Sequence, residues 1–173
     1  MIFNTEKRGK RELRAAEGYL SLGMPDHALE ALKKVSDPGE AAFECHMLRG
    51  DALRIKLDFP QALNCFQQAH ELNPRSLEAL LGLAWCQKRI DRVDQSIASM
   101  RRAYEIHPTV PVVLYNLACY YSLAGRKEQA LSWLGRALRM DRSFGKLIPD
   151  ETDFDSLRRD PEFQRLLELS AEE

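Results

Sequence analysis

The sequence predicts an all-α chain of about four helical hairpins, and three observations carry that reading. The tetrapeptide ELNP at Glu71 to Pro74 returns as EIHP at Glu105 to Pro108. A further step of the same length reaches RMDR at Arg139 to Arg142, where the apolar residue and the acid persist without the proline. A fixed period of this size marks a repeat architecture, in which one supersecondary unit stacks on copies of itself. Rows of one period beginning at Gly9, Phe43, Leu77 and Pro111 bring small residues into register. One column reads Ala16, Gly50, Ala84, Ala118; a second, Ala28, Ala62, Ser96, Ala130; a third, Val35, Ala69, Ala103, Ala137. Small side chains at fixed places let two helices approach closely. Larger ones beside them (Leu29, Leu63, Ile97, Leu131, then Leu32, Phe66, Met100, Leu134) fill the space between. The third observation is the punctuation of each row by glycine and proline.

In chain order, residues 1–8 are read as a tail and the first row as 9–42, with Gly23 and Pro25 separating its two helices. The row beginning at Phe43 has Pro60 opening its second helix and Pro74 ending it; the row beginning at Leu77 ends at Pro108. Proline fixes φ and disfavours helical backbone in the residue before it, so the repeated ELNP and EIHP are two copies of one structural stop. In the fourth row, 111–142, Gly125 separates the helices as a C-cap. The period stops after Arg142, and residues 143–173 form a closing segment. There DFDSLRRDPEFQRLLEL puts Asp160 at an N-cap, Pro161 at the first helical position, and Phe163, Leu166 and Leu167 on one face.

The best copies, LLGLAWCQKRIDRVDQSIASMRRAYEIHP and LYNLACYYSLAGRKEQALSWLGRAL, resemble the tetratricopeptide repeat, whose unit has the same length. The resemblance spans about Gly9 to Arg142. The first row departs most, with Glu12 at a usually bulky apolar place and Pro38 early, and the second row has His46 and Arg49 at apolar places. The family implies a right-handed superhelical solenoid of about four such hairpins. The closing segment resembles one found after the last repeat in some bacterial members, where a capping helix would cover the apolar end of the stack.

The 25 basic and 26 acidic residues nearly cancel and are interspersed, so no net field favours nucleic acid or an anionic membrane. The N-terminal MIFNTEKRGKRELR lacks the apolar core of a signal peptide, and no stretch approaches the roughly 20 apolar residues that span a bilayer. A cytoplasmic protein without membrane contact is expected. Cys45, Cys65, Cys86 and Cys119 occur singly inside helical patterns and read as buried, reduced thiols. No metal site or cofactor is predicted. The four histidines fall at unrelated places in the rows, and the acidic run Asp150, Glu151, Asp153, Asp155 lacks the glycine and closing glutamate of a calcium loop. The RGD tripeptide at Arg49 to Asp51 is explained by packing at Gly50. With no phosphate loop, dinucleotide fingerprint or hydrolase motif, catalytic residues are not predicted.

The family resemblance implies that the first helices line a concave groove that binds a peptide or helix of a partner protein. By column, the second row would supply Glu44, Met47, Leu48, Asp51, Arg54 and Ile55, and the third Glu78, Leu81, Trp85, Lys88 and Arg89. The fourth would supply Tyr115, Asn116, Cys119, Ser122 and Leu123. Because Leu83 and Ala84 should face the core, Trp85 is expected at the edge or in the open groove; the alternative is that Trp85 and Tyr115 pack between helices or beneath the C-terminal helix. Some relatives clamp a partner's terminal carboxylate with lysines, asparagines and an arginine. Here Leu13, Glu17, Met47, Leu48 and Asp51 stand in those columns, which disfavours such a clamp. The mixed apolar and basic lining suits an amphipathic segment carrying some acids. An adaptor or scaffold is the leading expectation, with a secretion chaperone of the same repeat class as the alternative, an enzyme with a hidden site less favoured, and homodimerisation left open.

Overall fold

The computed structural model describes the backbone of residues 2–35 and 38–171 and the side chains of residues 9–35 and 38–168. Met1 and residues 172–173, the ends of the expected tail and closing segment, lie outside the described residues. The described residues form nine α-helices joined by turns and short 3-10 helices, and no strand occurs among them. The chain divides into two compact units, Met1–Ile90 and Asp91–Glu173.

The first unit holds α1 (Ile2–Ser21), α2 (Pro25–Lys33), α3 (Ala42–Ile55), α4 (Phe59–Leu72) and α5 (Leu77–Arg89). Helix α1 begins at Ile2, so residues 2–8 continue it instead of forming the separate tail expected. That stretch has no apolar period to announce a helix, but its charged residues are adequate helix formers. Each helix packs on the next, and α3 also packs on α1 and α5, the arrangement that consecutive hairpins require. Helix starts have chemical causes. Pro25 opens α2, the Asp58 carboxylate accepts from the Gln61 amide (3.2 Å) at the start of α4, and the Ser76 hydroxyl accepts from the Ala79 amide (3.1 Å) at the start of α5.

The columns become the core. Ala16, Gly50, Ala84 and Ala118 are buried, as are Ala28, Ala62, Ser96 and Ala130. Leu32, Phe66, Met100 and Leu134 have essentially no exposed surface. Around Phe66 the reason for two mid-helix glycines is steric. A Cβ on Gly50 of α3 would lie 2.8 Å from the ring, and one on Gly82 of α5 would lie 2.7 Å from it. The ring is held between two helix backbones, and any larger residue must displace it.

The second unit holds α6 (Val93–Ile106), α7 (Pro111–Leu123), α8 (Lys127–Met140) and α9 (Pro161–Ala171), with 3-10 turns at Arg142–Lys146, Ile148–Asp150 and Thr152–Leu157. Helix α7 packs on α6, α8 and the Thr152–Leu157 turn, and α9 packs on α8. The Asp160 carboxylate accepts from the amides of Glu162 (2.9 Å) and Phe163 (3.2 Å), the expected N-cap, and Lys127 pairs with it, holding the carboxyl below the usual range. Phe163 is buried against Phe154, while Leu166 and Leu167 are half-buried.

The glycine punctuation at Gly23 and Gly125 belongs to a column whose other two members, Leu57 and Asp91, are not glycine. Gly23, Leu57, Asp91 and Gly125, each one period after the last, all have positive φ, between 60° and 69°. Glycine accepts that conformation freely; leucine does not, because its Cβ crowds the following carbonyl. Leu57 is 66% exposed, so little packing offsets the strain. Leu57→Gly is therefore expected to stabilise the chain by about 0.5–1 kcal/mol, the relief of strain exceeding the entropy lost by a glycine. Denaturant unfolding checks this, and a lower midpoint for the variant contradicts it.

Candidate partner-binding surface

Of the residues expected to meet a partner, those of the first unit lie on α3 and α5, which pack against each other. Leu83 and Ala84 turn into the core, and Trp85 beside them is half-buried. Its ring meets Phe59, the first residue of α4, edge to face at 5.3 Å between centroids. The Arg54 guanidinium lies 5.3 Å from the Trp85 ring, and that of Arg89 lies 5.7 Å from Trp85 and 5.0 Å from Phe59. These are cation–π distances, so the two guanidiniums are oriented by aromatic faces. Arg54 also donates to Asp51 at 3.1 Å, whereas Arg89 is exposed. Met47, Leu48, Asp51, Arg54, Leu81 and Lys88 are half-buried, and Ile55 and Glu78 are exposed. Phe59 was not among the expected residues, because it sits at the start of a second helix, outside the columns assigned to the groove.

This patch offers an aromatic pair with cationic groups poised on it. Guanidinium forks bind carboxylates in two-point geometry, and a half-buried tryptophan supplies a large rigid apolar contact.

The second unit differs from expectation. Tyr115 is only 5% exposed and Cys119 is buried, so neither lines an open surface; Asn116 is half-buried. The closing segment covers Tyr115: Phe144 stacks on its ring at 4.7 Å and Phe154 meets it edge-on at 5.9 Å. Burial, and then the neighbouring Cys119, Glu151 and Asp153, push the phenol well above its ordinary range. The covering residues lie beyond the periodic rows, so columns could not reveal them. Trp133, on α8, packs edge-on against Tyr104 of α6 at 4.8 Å, with the Arg136 guanidinium 4.2 Å from its ring.

His27 is exposed beside Tyr19, while His46 and His70 each bury an Nδ1 that has no hydrogen-bond partner. Burial, and then Arg49, lower the His46 pKa. All four cysteines are buried and none is in a disulfide. Burial raises the thiols of Cys45 and Cys65, and that of Cys86 is pushed up to about 11. Since the thiolate is the reactive form, alkylation of the native chain at pH 8 is expected to be far slower than that of an exposed cysteine, with four thiols counted after denaturation without reductant. Rapid native labelling of Cys86 contradicts that burial.

Among the described residues, no helix is long and apolar enough to cross a membrane. Family models described as tetratricopeptide repeat match residues 48–111 and 112–144, together more than half of the chain. No curated protein matches the sequence. Among solved structures, one described as MamA 41-end from Desulfovibrio magneticus RS-1 is 19% identical, covering 96% of this chain and 98% of that one, with a TM-score of 0.72. A crystal structure of MamA is 21% identical over 80% of this chain and 81% of its own, with a TM-score of 0.73. YrrB, described as a TPR protein with an unusual peptide-binding site, is 13% identical over 92% of this chain and 82% of its own, with a TM-score of 0.72. At these identities the likeness is one of fold.

Proposed function

The chain belongs to the tetratricopeptide-repeat family, and on that premise we propose that it is a non-enzymatic interaction module that binds an amphipathic, acid-bearing segment of a partner protein on the α3 and α5 surface. The observation that carries this reading is the half-buried Trp85 ring with Phe59 at its edge and Arg54 and Arg89 at its face. An apolar side chain of the segment covers Trp85, a carboxylate is received by Arg89, and Arg54, already tethered to Asp51, fixes its direction. Ile55, Leu81 and Met47 extend the apolar contact, and Glu78 and Lys88 lie at its rim. A fold neighbour whose description includes a peptide-binding site agrees with a recognition role, without identifying the ligand.

Affinity capture from the native host tests the proposal. Wild type should retain partners that Trp85→Ala loses and that Trp133→Ala keeps, since Trp133 is engaged with Tyr104 and Arg136 elsewhere. If Trp85→Ala, with circular dichroism like wild type, retains the same partners, the surface is wrongly assigned. Recovery of a second copy of the chain as the lost partner would make the surface a homodimer contact and overturn the segment reading.

A further inference from the structure

We propose that Leu57, in the turn between α3 and α4, is a second apolar anchor of the partner surface and takes an apolar side chain of the same acid-bearing amphipathic segment. The inference rests on the α3 and α5 reading above and adds a residue outside the first-helix columns. Leu57 stands in left-handed backbone, φ 62°, where a bulky residue is strained. Its turn is closed by two hydrogen bonds, from the Leu57 amide to the Arg54 carbonyl (3.0 Å) and from the Asp58 amide to the Leu53 carbonyl (2.9 Å). The same pair of bonds closes the turn at Gly23, with Leu20 and Tyr19 accepting, and the turn at Gly125, with Ser122 and Tyr121 accepting. Glycine therefore makes this turn without strain, and the leucine side chain is not needed to form it. Nor does that side chain fill the core, since Leu57 is 66% exposed. Asp91, the other non-glycine of the column, is exposed and of a short polar type that tolerates this conformation. Of the four, Leu57 alone combines strain with an exposed apolar side chain, a combination that points to contact outside the chain.

Position and charge identify the occupant. Leu57 follows Arg54 by three residues and precedes Phe59 by two, a backbone reach of about 7 Å to the latter. Both of those side chains meet the Trp85 ring, so Leu57 borders the same cluster, with exposed Ile55 beside it. The charged residues flanking Leu57 are engaged: Lys56 pairs with Asp26, and the Asp58 carboxylate caps α4. What the turn offers a partner is apolar, while Arg54 and Arg89 nearby favour acids on the segment's flank. The closed turn also fixes the Leu57 backbone before binding, which reduces the ordering cost of the contact.

The test uses the full chain and a helical peptide of about 18 residues, with leucines at i, i+3, i+4 and i+7 and glutamates beside them. The same peptide with lysine for every glutamate should bind wild type at least about tenfold more weakly. Leu57→Asn keeps a residue that accepts the left-handed turn and removes the apolar side chain. It should bind the glutamate peptide about fivefold or more weakly, with an unfolding midpoint no lower than wild type. Leu57→Gly should show the same loss of affinity in a more stable chain, and Leu57→Met should bind as wild type does. Leu72→Asn, 54% exposed at the other end of α4 and about 20 Å away, should also bind normally. Unchanged affinity in Leu57→Asn, when Trp85→Ala binds more weakly, overturns this inference alone. A lower midpoint in both Leu57→Asn and Leu57→Gly makes the leucine structural and overturns it too. No binding of the glutamate peptide to wild type, or equal binding to Trp85→Ala, overturns the surface reading and this inference with it. Self-association of wild type that Leu57→Asn abolishes would make the turn a contact between copies, which also contradicts the assignment.

Discussion

Phe66→Ala is expected to lower the unfolding free energy by about 3–5 kcal/mol, the usual cost of deleting a fully buried ring. The sharper expectation concerns its glycine neighbours. By helix propensity alone, Gly82→Ala should stabilise α5 by about 1 kcal/mol. Its new methyl would lie 2.7 Å from the Phe66 ring, which has only 1% of its surface exposed and is blocked on its other side by Gly50. Overpacking costs about 1–3 kcal/mol, so the net change should be destabilising. In a Phe66→Leu background the collision disappears, and Gly82→Ala should become neutral or stabilising. Denaturant unfolding of the four chains gives the coupling directly. A Gly82→Ala chain as stable as wild type would show that the helices are free to part around the ring.

The closing segment should behave as core. Phe154→Ala is expected to cost about 3–5 kcal/mol, because Phe154 has no exposed surface and contacts both Tyr115 and Phe163. Truncation before Asp160 removes Phe163 and the Leu166 contact beside Gly135, leaving apolar surface on α8 and Phe154 uncovered. Lower solubility or self-association should follow. A truncated chain that stays monomeric and equally stable would make the segment a tail and not a cap.

The helical hairpins were legible because each column has one physical cause, close approach of two backbones, which only small residues permit. Ala84 and Ala118 could be placed from spacing alone. The αL column was half legible: Gly23 and Gly125 announce it, while Leu57 and Asp91 adopt the same conformation at a cost that no propensity signals. Gly82 was missed because its constraint comes from a ring on α4 and not from the period. The partner surface divides in the same way. Trp85 could be placed beside core residues by its position after Ala84, but Phe59 and the orientation of the two guanidiniums depend on side-chain contacts between elements. Tyr115 was misread as open because Phe144 and Phe154 reach it from outside the repeats.

Calorimetric titration of the captured partner's segment into wild type, Trp85→Ala and Trp133→Ala, with denaturant unfolding of each chain, tests the interaction surface most directly. Trp85→Ala should weaken binding by more than about 1 kcal/mol, roughly fivefold or more, with a smaller loss of stability than Phe66→Ala shows. Trp133→Ala should leave affinity nearly unchanged. Equal affinity for Trp85→Ala and wild type, or a Trp85→Ala chain that unfolds, would contradict the account and move the search to another face.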